Sequence, residues 1–127
     1  MATLRSRRFY ETLEAGELAV ASSVFYNFST DAKTADEVPF NNILIRNFSL
    51  QRIKVSYNDT IAIIGANEIY SDDSAYGLRN LTVENTSTTD ANSDIIFIQI
   101  SRVVTSNAAI IADVTGQNIY DVANGAV

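Results

Sequence analysis

Residues 40–49 read FNNILIRNFS and residues 78–87 read LRNLTVENTS, one pattern written twice. Asn42, Asn47 and Ser49 match Asn80, Asn85 and Ser87 at a constant offset of 38 residues, with apolar residues alternating between the two Asn. Each segment leads into a second alternating run, RIKVSY at 52–57 and IIFIQIS at 95–101. Alternation with period two belongs to a strand with one buried face, whereas a helix repeats every 3.6 residues. The pattern therefore predicts a strand–turn–strand unit present twice. It implies an all-β chain: an antiparallel β-sandwich, jelly-roll-like, made of paired hairpins in two related halves.

The rest of the chain fits this class. In the 17–29 segment, Val24, Tyr26 and Phe28 share one strand face. The polar stretch 30–39 ends in the chain's one proline and reads as a loop. Ile53, Val55 and Tyr57 alternate with Arg52, Lys54 and Ser56, the mark of a half-buried strand. Asn58–Asp59 is a turn signal, because both side chains can cap their own backbone. Residues 60–66 read as a further strand, 67–77 as a polar loop, and the apolar run at 109–114 as the last strand. Phe9 and Leu13 fall at i,i+4 ahead of Gly16, so residues 8–16 could form a short helical turn or an irregular arm. The expected organisation is an extended N-terminal arm at 1–16 and one sandwich domain at 17–127.

Composition excludes several kinds of chemistry. Among 127 residues there is no Cys and no His. Disulfides, thiolate nucleophiles and cysteine zinc sites are ruled out, and the residue best suited to proton transfer near neutral pH is missing. No phosphate-binding, dinucleotide-binding or nucleophile-elbow motif is present. The expectation is a protein that is not an enzyme and has no cofactor and no metal. No apolar run approaches the ~20 residues of a membrane helix, and no apolar stretch follows the charged N-terminus, so an intracellular origin without a membrane partner is expected.

The net charge of −6 is unevenly placed. Arg5, Arg7 and Arg8 put three positive charges into the first ten residues, leaving six basic against fifteen acidic residues in the remainder. Such an acidic body repels phosphate backbones, and three arginines are few for a nucleic-acid arm, so nucleic acid is an unfavoured partner. Arg5, Arg7, Arg8, Phe9 and Tyr10 instead suggest a docking arm, with guanidinium groups for carboxylates and rings for a neighbour's groove. Deleting residues 1–10 would then leave the sandwich folded and weaken assembly. A second candidate is the loop holding Tyr70, Asp72, Asp73 and Tyr76, whose rings and carboxylates could meet a glycan. The same carboxylates, with Glu68, Ser71 and Ser74, could hold calcium, though not at EF-hand spacing. Asn-x-Ser/Thr triplets at Asn27, Asn47, Asn58, Asn80 and Asn85 match the glycosylation pattern but read better as strand-ending turns.

The segments NILIRNFSLQRIKVSYND and NLTVENTSTTDANSDIIFIQISR resemble, over roughly residues 40–104, the β-sandwich virion proteins of tailed bacteriophages. The resemblance implies a capsid decoration, or cement, protein that bridges neighbouring subunits. It also implies assembly in the host cytoplasm, self-association as a homotrimer, and a major capsid or other virion protein as partner. A tail, neck or fibre component, or a carbohydrate- or receptor-binding module, would share the same texture. No functional residue carries over from the family.

Overall fold

The computed structural model of the protein describes residues 6–104. Eight strands are present among them: β1 (Arg7–Leu13), β2 (Ser23–Asn27), β3 (Asn42–Asn47), β4 (Ile53–Tyr57), β5 (Thr60–Ile64), β6 (Ile69–Asp72), β7 (Asn80–Asn85) and β8 (Ile96–Arg102). They form two four-stranded antiparallel sheets, ordered β1-β8-β3-β6 and β2-β7-β4-β5. This is a β-sandwich with the strand order of an eight-stranded jelly roll. Inward residues of both sheets make the core: Ile43, Ile45, Ile53, Val55, Leu81, Val83, Ile96, Ile98 and Ile100 are all buried. The apolar run at 109–114 lies outside the described residues.

The repeat is real, but its units are not hairpins. β3 lies in the first sheet and β4 in the second, while β7 and β8 cross in the opposite sense. Each unit is an arch that spans the sandwich. Among the described residues only β4 and β5, joined through Asn58–Asp59, form a hairpin of consecutive strands. Asn58 has φ of 50° there, a conformation that Asn tolerates in tight hairpin turns. Alternation within a strand reports which side chains are buried, not which sheet the next strand joins, so arch and hairpin read alike in the sequence.

Advancing every strand number by four converts one sheet order into the other. The two halves are thus related by an approximate two-fold axis. Phe40 and Leu78, which head the two sequence repeats, face each other on it. Each donates its N–H to the other's carbonyl, at 2.9 and 3.0 Å. The arches are closed by the repeated Asn. Asn47 Oδ1 accepts from the Ser49 N–H (3.1 Å), and its amide donates to the carbonyls of Gln51 (2.8 Å) and Gly65 (3.0 Å). Asn85 Oδ1 accepts from the Ser87 N–H (2.9 Å), and its amide donates to the carbonyls of Asp90 (2.9 Å) and Leu18 (3.2 Å). Ser29 N–H donates to Asn27 Oδ1 in the same way, at 3.1 Å. Three of the five Asn-x-Ser/Thr triplets are therefore turns whose Asn amide organises local backbone, and Asn47 and Asn85 are fully buried.

The expected arm is, from Arg7 onward, an edge strand. β1 pairs with β8 from Arg7↔Arg102 to Leu13↔Ile96, in place of the short helical turn or irregular arm read at 8–16. Phe9 and Leu13 satisfy a period of two as well as i,i+4. The ladder with β8 settles the conformation, and Glu11, on the same side of the strand as Phe9 and Leu13, pairs with Lys33 Nζ at 2.7 Å. Phe9 packs edge-on against Phe40, with ring centroids 5.7 Å apart, and Phe40 meets Phe28 at 5.9 Å. Residues 7–10 thus supply four of the seven β1–β8 pairs and one side of this aromatic cluster.

Candidate functional site

The outward face of the first sheet differs from an ordinary wet sheet face. Its cross-strand rows can be read from the register. One row runs Tyr10–Gln99–Leu44–Ser71, and the next runs Thr12–Phe97–Arg46–Ile69. Beyond them, the Phe48 N–H donates to the Ile95 carbonyl at 3.0 Å. Tyr10 and Phe97 lie with ring centroids 5.3 Å apart. Tyr10, Phe48 and Ile69 are 48%, 46% and 61% exposed. Together these rows border a shallow hollow of about 690 Å³ lined by Tyr10, Thr12, Glu14, Leu44, Arg46, Phe48, Ile95, Phe97 and Gln99. Its two charged side chains are Glu14 and Arg46, one of each sign.

The opposite face of the molecule keeps polar side chains on its central strands, and its exposed apolar ones, Phe25, Ile61 and Ile63 at 59%, 67% and 53%, stand on its outer strands. There the rows run Ser23–Glu84–Lys54–Ile63 and Phe25–Thr82–Ser56–Ile61. The two central strands contribute an ion pair, Lys54 Nζ to Glu84 Oε1 at 3.6 Å, together with Thr82 and Ser56. Apolar side chains appear there only on the outer strands. In the first sheet it is the central strands β8 and β3 that carry Phe97 and Leu44 outward. Contiguous exposed apolar surface on a small protein marks a place where something binds.

The residues expected in a docking arm are not presented together. Arg5 lies outside the described residues. Arg7 Nε sits 3.7 Å from Glu37 Oε1 and its guanidinium stands 5.7 Å from the Phe9 ring centroid. Glu37 also holds the buried Arg102, its Oε1 3.0 Å from Nη2, while the Glu37 carbonyl accepts a second bond from Arg102 Nη1. Arg7 and Arg102 are cross-strand partners, so this single carboxylate offsets two adjacent guanidinium groups. Arg8 is exposed and Phe9 belongs to the core periphery. Of the four described, Tyr10 lines the apolar hollow.

The four residues proposed for a glycan loop also divide, because β6 runs through them and alternates their directions. Tyr70 and Asp72 point inward. Tyr57, from β4 in the second sheet, donates its hydroxyl to Asp72 Oδ2 at 2.5 Å and shares a short contact with the Tyr70 hydroxyl. Burial, followed by these hydrogen bonds, pushes the Tyr57 phenol well above its ordinary value. The trio is a clasp between the two sheets. Asp73 and Tyr76 remain outside, bordering a separate hollow of about 360 Å³ with Asn41, Asn42 and Val103. Among the described residues no three acidic side chains converge on a common point. Adjacent carboxylates on a strand face opposite ways, so Asp72 and Asp73 do not act as a pair.

Sequence reasoning missed Glu14, Leu44, Arg46, Phe48, Ile95, Phe97 and Gln99. One signal was available: in IIFIQIS both parities are apolar, which gives β8 an outward Phe97 as well as the inward Ile96, Ile98 and Ile100. The sequence matches no protein-family model, and no curated protein matches it.

Proposed function

We propose that this protein is a non-enzymatic structural component of a virion, of the capsid-decoration kind, that bridges neighbouring subunits through the outward face of its first sheet. The observation that carries the reading is the apolar hollow on the central strands of that sheet. A binding face of this type needs no catalytic group. Its affinity comes from apolar area and aromatic anchors, and copies on a symmetric lattice multiply weak contacts by avidity. The resemblance of residues 40–104 to β-sandwich virion proteins supplies the virion context. The test is occupancy. Particles assembled with a Phe97→Ser, Phe48→Ser variant should carry several-fold less of the protein than particles assembled with the unaltered chain. Undiminished occupancy, or absence of the unaltered protein from purified particles, would overturn the reading.

A further inference from the structure

The hollow contains its own charge complement, and this points to what covers it. Arg46 lies on β3 and Glu14 directly follows β1, on opposite sides of the apolar strip carried by β8. Two interstrand steps and one two-residue step along the strands separate them by roughly 12 Å. Both side chains are exposed, and among the described residues neither has an ion-pair partner. A two-fold axis lying in the plane of the face, midway between them, crosses β8 beside Phe97. Rotation about that axis carries each Arg46 over Glu14 of the partner subunit and closes Tyr10, Phe97 and Phe48, which lie along the axis, against their own copies. A surface with one charge of each sign flanking an apolar centre is self-complementary in this way, which is what an isologous interface requires.

We infer that the outward face of the first sheet is a homodimer interface in which two copies pack face to face, with Arg46 of one opposite Glu14 of the other, twice. The inference deepens the proposed function by naming a second copy of this chain as the occupant of the same face. Its test uses the full chain in solution without particles, so it can fail while particle binding stands, and the reverse. Sedimentation equilibrium over a range of concentrations should show a monomer–dimer equilibrium. Arg46→Glu and Glu14→Arg should each weaken dimerisation roughly tenfold or more, because each creates two like-charge contacts. The double variant Glu14→Arg, Arg46→Glu should recover dimerisation to within a few-fold of the starting chain, because the swapped charges again face their opposites. Outward charges on strands leave the core untouched, and circular dichroism on each variant checks this. A chain that is monomeric throughout, a trimer in place of a dimer, or single variants no weaker than the double would each overturn the inference.

Discussion

Replacing Asn47 with Ala should cost the sandwich about 3–4 kcal/mol. The side chain is 1% exposed. It donates to two carbonyls within 3.0 Å and accepts from the Ser49 N–H and hydroxyl, at 3.1 and 2.7 Å. Alanine leaves the buried Ser49 N–H without its acceptor and the part-buried Gln51 and Gly65 carbonyls without this donor. Each hydrogen bond is worth about 1 kcal/mol net, and each buried group left unsatisfied costs about 1–3 kcal/mol. Partial relaxation of the arch keeps the total below the full sum. Asn27 supplies an internal control. It heads the same Asn-x-Ser triplet and accepts from the Ser29 N–H at 3.1 Å, but that bond is exposed, so Asn27→Ala should cost only about 0.5–1 kcal/mol. Asn85→Ala should fall within about 1 kcal/mol of Asn47→Ala, because the two residues occupy equivalent arches. Equilibrium unfolding in urea, with unchanged m-values as the check on two-state behaviour, measures all three. Equal and small losses at Asn27 and Asn47 would refute the argument that buried amides close the arches.

Four further outcomes follow from the same geometry. Ile98→Ala, in the centre of β8 and fully buried, should lose about 2–5 kcal/mol, whereas Ile63→Ala on the outward side of β5 should stay within about 0.5 kcal/mol of the parent in the same unfolding assay. Glu37→Ala should cost about 1–3 kcal/mol, because Arg7 and the buried Arg102 lose the carboxylate between them, and the loss should shrink when Arg7 is also replaced. Tyr26 is held near 12 by burial and then by Glu11 and Glu17, against an ordinary 10.0. The folded chain therefore keeps protons that the unfolded chain releases between about pH 10 and 12, so stability should fall as pH rises through that window, and Tyr26→Phe should flatten the fall. Deleting residues 1–10 should lower the thermal midpoint markedly, as read by circular dichroism, because four pairs of the β1–β8 ladder go with them.

Much of this fold was legible in the chain. Ile53, Val55 and Tyr57 announced a one-sided strand, Asn58–Asp59 its turn, and the Asn-x-Ser triplets the ends of β3 and β7. What could not be read was partnership at long range. Whether β4 returns beside β3 or crosses to the other sheet depends on the other strands, and the alternation of Ile43, Ile45, Ile53 and Val55 is the same either way. β6 reads as a loop because Tyr70 and Asp72 are polar. Their inward placement makes sense only with Tyr57, which reaches them from the other sheet. β1 was obscured by a spacing that serves helix and strand equally. The candidate site was hidden for a related reason. Leu44 and Phe97 look like core residues in sequence, and only the register shows that they share an outward face with Tyr10, Arg46 and Gln99.

We propose that this sandwich works by contact through the outward face of its first sheet. Cryo-electron microscopy of the assembled particle tests it most directly. Density for the β1-β8-β3-β6 sheet should lie against a neighbouring subunit, with Tyr10, Leu44, Phe48 and Phe97 closed off from solvent. A particle in which that sheet faces open water while another surface makes the contacts would contradict it.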